Sequence, residues 1–191
     1  MAHSFFALVS RMKYIERWAL MRNTDPENIQ EHSHMVAVLA HCLAVIENRR
    51  YGGQVDVGQV ALAALYHDAT EIITGDMPTP IKYYNSQLRE AYQDVEHMAE
   101  EKLLSMLPEE LRPDYEELLI TPDPEIHRLV KAADKLSAYI KCVEEVKAGN
   151  AEFRKAKEQT WQALQEQRFP ALDDFLEEFL PSFELTLDEL D

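Results

Sequence analysis

His67, Asp68, Glu71 and Asp76 crowd into one short stretch, "LYHDATEIITGDMPTP", whose first half is among the most apolar parts of the chain. An imidazole beside a carboxylate, with a second carboxylate one turn further on, can hold a divalent cation or move a proton. Successive helical residues turn by about 100°, so with His67 at zero Asp68 points to about 100° and Glu71 to about 40°. All three then share one face with Val60 and Ala64, and that face belongs inside a bundle. Buried carboxylates are costly unless paired, hydrogen-bonded or bound to metal. The stretch contains no Lys or Arg to pair with them.

Further donors must come from other helices. In "NIQEHSHMVAVLAHCLAVI", His32 aligns with Val36, Leu39, Leu43 and Ile46, whereas His34 and His41 stand on the opposite side. In "LVKAADKLSAYI", Asp134 sits at the border of an apolar arc formed by Val130, Ala133, Ser137 and Ile140. Two imidazoles and two carboxylates from three helices make a mixed nitrogen and oxygen set. Such a set suits a divalent transition ion and leaves positions open for water and substrate. Taken singly, His32 reads more simply as a core or capping histidine, and Asp134 as a helix residue paired with Lys131 or Lys135. For His32 the conjunction with His67 and Asp68 favours a metal centre, whereas the case for Asp134 depends mainly on the family motif to which it belongs. His97 and His127, like His34 and His41, read as surface or structural residues.

The elements that must carry these groups are helical. Gly is rare at 5 residues, and apolar residues recur at three- and four-residue intervals between Gly, Pro and Asn breaks. The spacing predicts a helix from about Ser4 to Arg17, then a polar, exposed turn at "RWALMRNTDP". Further helices are expected over about 28–50, 57–74, 85–106, a short one after Pro108, 125–147, 151–167 and 171–179. The third would run unbroken through the His-Asp pair to Gly75. With no repeat and no linker, 191 residues read as one all-α helical domain over 1–191.

A net charge of -16 argues against a surface for DNA or RNA, so any anionic substrate must meet a local positive charge. Cys42 and Cys142 lie in separate helical stretches and indicate neither a disulfide framework nor a thiolate metal site. The longest wholly apolar run, "VALAALY", is too short to cross a bilayer, and the N-terminus has no leader pattern. A cytoplasmic protein without a membrane partner is expected.

"EHS", "YHDATE" and "KAADKL" resemble the ordered H…HD…D pattern of HD-domain phosphohydrolases. "RWALMRN", "GDMPTP", "KYYNSQ" and "PSFELTLDE" resemble the bacterial 5'-deoxynucleotidases of the YfbR type, over essentially the whole chain. The resemblance implies an HD-domain helical bundle with His32, His67, Asp68 and Asp134 as metal ligands. It implies that Arg17 orients the substrate phosphate and that Trp18 contacts the deoxyribose. It further places Asp68, Asp76, Met77, Pro78 and Thr79 at the nucleotide. Glu71 or Asp76 would handle the proton, and the residues do not say which is acid and which is base. The implied reaction is hydrolysis of a deoxyribonucleoside 5'-monophosphate by metal-activated water, with one divalent ion such as cobalt or manganese, in a homodimer. A binding module without turnover, or an enzyme acting on nucleoside triphosphates or a signalling nucleotide, are the competing readings.

Overall fold

The computed structural model describes residues 3–82, 84–120 and 123–190. Ten α-helices follow in order among the described residues: α1 (Phe5–Val9), α2 (Ile29–Arg50), α3 (Val57–Tyr66), α4 (Glu71–Thr74), α5 (Thr79–Lys82), α6 (Ser86–Leu104), α7 (Arg112–Ile120), α8 (Pro124–Lys147), α9 (Arg154–Gln165) and α10 (Pro170–Glu178). Short 3₁₀ turns join several of them, and the only β-type pairing among the described residues is an isolated bridge between Glu16 and Asn28. The fold is all-α.

Two long helices form the frame. Asn28 caps α2 by accepting from the Gln30 and Glu31 amides, with Glu31 reaching back to complete a capping box. Asp123 caps α8, and Pro124 takes the first helical position, where its missing N–H costs nothing. α2 packs on α3, α8 and α10, and α8 packs on α9. Their shared core holds Val36, Leu39, Leu43, Val60, Leu129 and Leu136, all buried. A second apolar cluster, around Phe5, Leu103, Leu107 and Leu119, lies under α1, α6 and α7. The chain leaves the first cluster at Ala64 and reaches the second through Tyr66 and Ala69. His67 and Asp68 therefore sit between two apolar masses. α2 is long and apolar enough to cross a membrane by length and composition, yet it is the helix around which this core is built.

Two expected helices are interrupted. The first stops at Val9, followed by a 3₁₀ turn at Met12–Tyr14 and extended backbone. The chain there pairs with the residues before α2: the Arg17 amide donates to Glu27 O, and the Ile29 amide to Ile15 O. The expected exposed turn is correspondingly half-buried at Arg17 and Trp18. The third helix breaks after Tyr66, and residues 67–70 form a turn before α4. His67 Nδ1 lies 2.7 Å from Ala64 O, the acceptor that the Asp68 amide would use in an unbroken helix. The side chain thus competes with the backbone where the helix ends. Gly75, at φ +74°, then closes α4 in a conformation that disfavours any residue with a Cβ.

Candidate active site

Asp68 is the point on which the polar cluster converges. Its Oδ2 lies 3.2 Å from His67 Nε2, 3.6 Å from His32 Nε2 and 3.4 Å from Arg17 Nη1. Asp134 Oδ1 stands 3.1 Å from the same His32 nitrogen. The first turn of α2 supplies His32, the turn after α3 supplies His67 and Asp68, and the middle of α8 supplies Asp134. Donor atoms of His32, His67 and Asp68 all fall within 4.8 Å of one another, which makes a possible His/Asp metal site.

The hydrogen bonds around the rings define what they offer. A carbonyl can only accept, so His67 Nδ1 donates to Ala64 O and Nε2 points its lone pair inward. That Nε2 is buried with Asp68 Oδ2 3.2 Å away and no other partner among the described residues. A lone pair facing a carboxylate oxygen is repulsive unless a proton or metal ion lies between them. Burial works against a charge on His67, but Asp68 outweighs it and raises the pKa above 6.5, so a proton can take that place. His32 behaves oppositely: burial and Arg17 lower its pKa, and the ring is neutral at pH 7. Its Nδ1 lies 3.2 Å from the Ser137 hydroxyl, which fixes the ring plane while Nε2 faces the carboxylates. The donor set and the orphaned nitrogen fit a divalent transition ion.

The carboxyls divide by environment. Burial opposes the charge on Asp68, but His67 and His32 hold its pKa at about 2. Asp134 is likewise held well below 3.8 against its burial, by Lys135 and His32. Its Oδ2 is 2.9 Å from Lys135 Nζ, so the two oxygens serve different partners. Glu71 goes the other way: burial and the nearby charges of Asp68 and Asp76 push it up to about 9. Its Oε2 is buried without a hydrogen bond, so the protonated acid has a free face. Asp76 is raised by burial, with Arg17 pulling in the other direction.

Two cavities meet at this cluster, sharing Arg17, Asp76, Met77, Asp134 and Lys135. One, of about 350 Å³, is lined by Trp18, Leu20, Pro78, Ala138 and Thr160. The other, of about 500 Å³, is lined by polar groups including His67, Asp68, Glu71, Lys82, Arg89 and His127. Both volumes fall in the range of small-molecule sites. Arg17 supplies the local positive charge that an anion requires in so acidic a chain.

Residues 4–183 match the YfbR-like 5'-deoxynucleotidase family. A 5'-deoxynucleotidase of Vibrio parahaemolyticus is 50% identical over 188 residues, covering 97% of each chain. The 5'-deoxynucleotidase YfbR of Escherichia coli is 50% identical over 97% of this chain and 94% of its own. The chain belongs to the YfbR-like 5'-deoxynucleotidase family. Its fold is shared with an HD-domain phosphohydrolase of Listeria innocua, at TM-score 0.82 and 26% identity over 95% of this chain and 88% of that one. A cyanophage S-2L HD phosphohydrolase, described with dA and one catalytic Zn²⁺ ion, has the same fold at TM-score 0.67 and 23% identity, over 94% of this chain and 96% of that one. Family membership makes this chain an HD-fold hydrolase.

Within that family fold, the structure gathers His32, His67 and Asp68 at one point, sets Asp134 against His32 at its edge, and brings Arg17 against Asp68. Trp18, Asp76, Met77 and Pro78 line the less polar cavity. The side chain of Thr79 lies outside the described residues. His34, His41 and His97 are exposed, whereas His127 lines the polar cavity. By sequence Ser137 belongs to an apolar arc, and its place one turn beyond Asp134 on the same face is the signal for its role at His32. The anchoring of the Arg17 loop was not foreseen. Buried Glu145 accepts from the Thr24 and Asp25 amides, Asn150 and buried Lys141, and Lys141 also donates to the Asp25 carbonyl. This network holds the far end of the loop against α8.

Proposed function

We propose that the chain hydrolyses deoxyribonucleoside 5'-monophosphates to deoxynucleosides and inorganic phosphate in a metal-dependent reaction. The observation that carries the reading is the convergence of two imidazoles and a guanidinium on Asp68 Oδ2 between two cavities. His32, His67, Asp68 and Asp134 would hold one divalent ion. When bound, that ion polarises the phosphoryl group as a Lewis acid and acidifies water. The Zn²⁺ named for the cyanophage enzyme supports a single transition ion, with cobalt and manganese as the other candidates.

The remaining residues bind, orient and move protons. Arg17 presents a planar fork to the phosphate oxygens and offsets the charge that develops there. Trp18, Met77 and Pro78 give the sugar and base an apolar wall, and a preference for deoxy sugars would follow if a 2'-hydroxyl met Trp18, whose indole N–H is already taken by Glu27. Glu71, held neutral, keeps a proton available for the leaving 5'-oxygen, with Asp76 as the second carboxyl beside it. The enzyme works in the cytoplasm as a homodimer in this reading. Exposed Val95 and Met98, three residues apart on α6, are apolar surface that a second chain could cover.

Phosphate release from mono-, di- and triphosphates, ribo and deoxy, with divalent metals added in turn, tests the proposal. Turnover confined to deoxy monophosphates is expected. Release only from triphosphates, or none with any metal, would overturn it. Sedimentation of the purified protein tests the dimer.

A further inference from the structure

Arg17 and Trp18 answer to the same oxygen. Glu27 Oε2 accepts from Arg17 Nε at 3.1 Å and from Trp18 Nε1 at 3.0 Å. The Glu27 carbonyl also accepts from the Arg17 amide at 2.9 Å, so this residue holds its neighbour across the loop by backbone and side chain together. Glu27 directly precedes Asn28, the cap of the helix that carries His32. The loop is thereby tied to the same helix start that supplies a candidate ligand.

The arrangement is demanding. Trp18 has φ +58°, the only positive value at a non-glycine residue among those described. For a bulky side chain this backbone is strained and persists only where surroundings over-determine it. Here the indole ring packs 5.4 Å from the ring of Phe153, which is fully buried, and its N–H is held by Glu27. On Arg17, Nε is used by Glu27 and Nη1 by Asp68. Nη2 has no protein partner among the described residues, so the fork is aimed with one arm available.

Resting on the proposed function, we infer that Glu27 is a positioning residue that sets phosphate binding through Arg17 and sugar selection through Trp18 by one shared carboxylate. Removing it unties both at once. A carboxylate that served only folding would leave the choice between deoxy and ribo substrates unchanged.

The experiment compares Glu27→Ala and Glu27→Gln with wild type. Loss of hydrogen bonds to a charged acceptor should reduce the deoxy-over-ribo ratio of kcat/KM about tenfold in the Ala variant, with KM for the deoxy monophosphate raised. Gln keeps an acceptor for the indole and should recover part of the ratio, to within about threefold of wild type. The chain has 2 tryptophans, so Trp161→Phe leaves Trp18 as a fluorescence reporter that needs no substrate. Its emission should move to the red and its anisotropy should fall in Glu27→Ala, and less in Glu27→Gln. An unchanged selectivity ratio in both variants, or Trp18 emission and anisotropy identical to wild type in both, would overturn the inference. A wild type that releases no phosphate would instead refute the proposed function, while the fluorescence comparison would still report on Glu27.

Discussion

His67 Nδ1 lies 2.7 Å from the Ala64 carbonyl, and that single contact decides which nitrogen is left for chemistry. With Nδ1 donating outward, Nε2 is the bare, buried atom beside Asp68. Coordination requires this nitrogen to be unprotonated. Because the His67 pKa is raised above 6.5, protons compete with the ion until the pH exceeds that raised value. Metal affinity should therefore rise with pH by up to about tenfold per unit below the raised pKa, and level off above it. Calorimetric titration of metal-stripped protein across that window checks the sign. An affinity that falls as pH rises would contradict this arrangement of the rings.

Ser137→Ala removes the hydroxyl that faces His32 Nδ1 while nearly preserving volume in a buried position. Metal affinity should drop about tenfold, the lower end for a group that orients a ligand from behind. In thermal unfolding the metal-free protein should lose only about 1 kcal/mol, the cost of leaving His32 Nδ1 without its partner. A large loss of apo stability would show that the serine serves the core instead.

Glu71→Gln keeps the size of the side chain and its ability to donate a hydrogen bond, but not its acidity. If the proton of Glu71 is transferred, kcat should fall by about 10²–10⁴ with KM nearly unchanged. Equal turnover by the two proteins would leave the proton step to Asp76.

Helix α8 should make stability fall in acid. Burial disfavours the Glu145 charge, yet the bonds from Lys141, Asn150 and two loop amides bring its pKa down from 4.5 to about 2. A depressed folded pKa gives stability that is fully present above 4.5 and is lost as pH falls toward about 2. Glu145→Gln, which strands buried Lys141, should cost about 3 kcal/mol in denaturant unfolding. It should also flatten the acid side of the stability profile. A variant as stable as wild type, with the same acid slope, would contradict the role of this pair.

The sequence was most legible where helix geometry acts on single residues. His67 and Asp68 stood out because an apolar helix has no other use for them, and His32 because it continues the stripe of Val36, Leu39 and Leu43. Asp134 fell on a border for a reason now visible: one oxygen faces His32 inside and the other faces Lys135. The break after Tyr66 was hidden, since it comes from a ring competing with its own backbone rather than from Gly or Pro. Arg17 and Trp18 were visible only by resemblance. They sit on irregular backbone held by Glu27, Glu145 and Phe153, and no periodicity encodes contacts so distant in sequence.

Phosphate release from a deoxyribonucleoside 5'-monophosphate, followed as metal is returned to stripped protein, tests the metal dependence of this site. Turnover should be absent without metal, rise linearly with added ion, and reach a plateau at about one equivalent per chain, as a single donor cluster requires. Asp68→Ala should stay inactive throughout. Full turnover by the stripped enzyme, or by Asp68→Ala, would contradict that dependence.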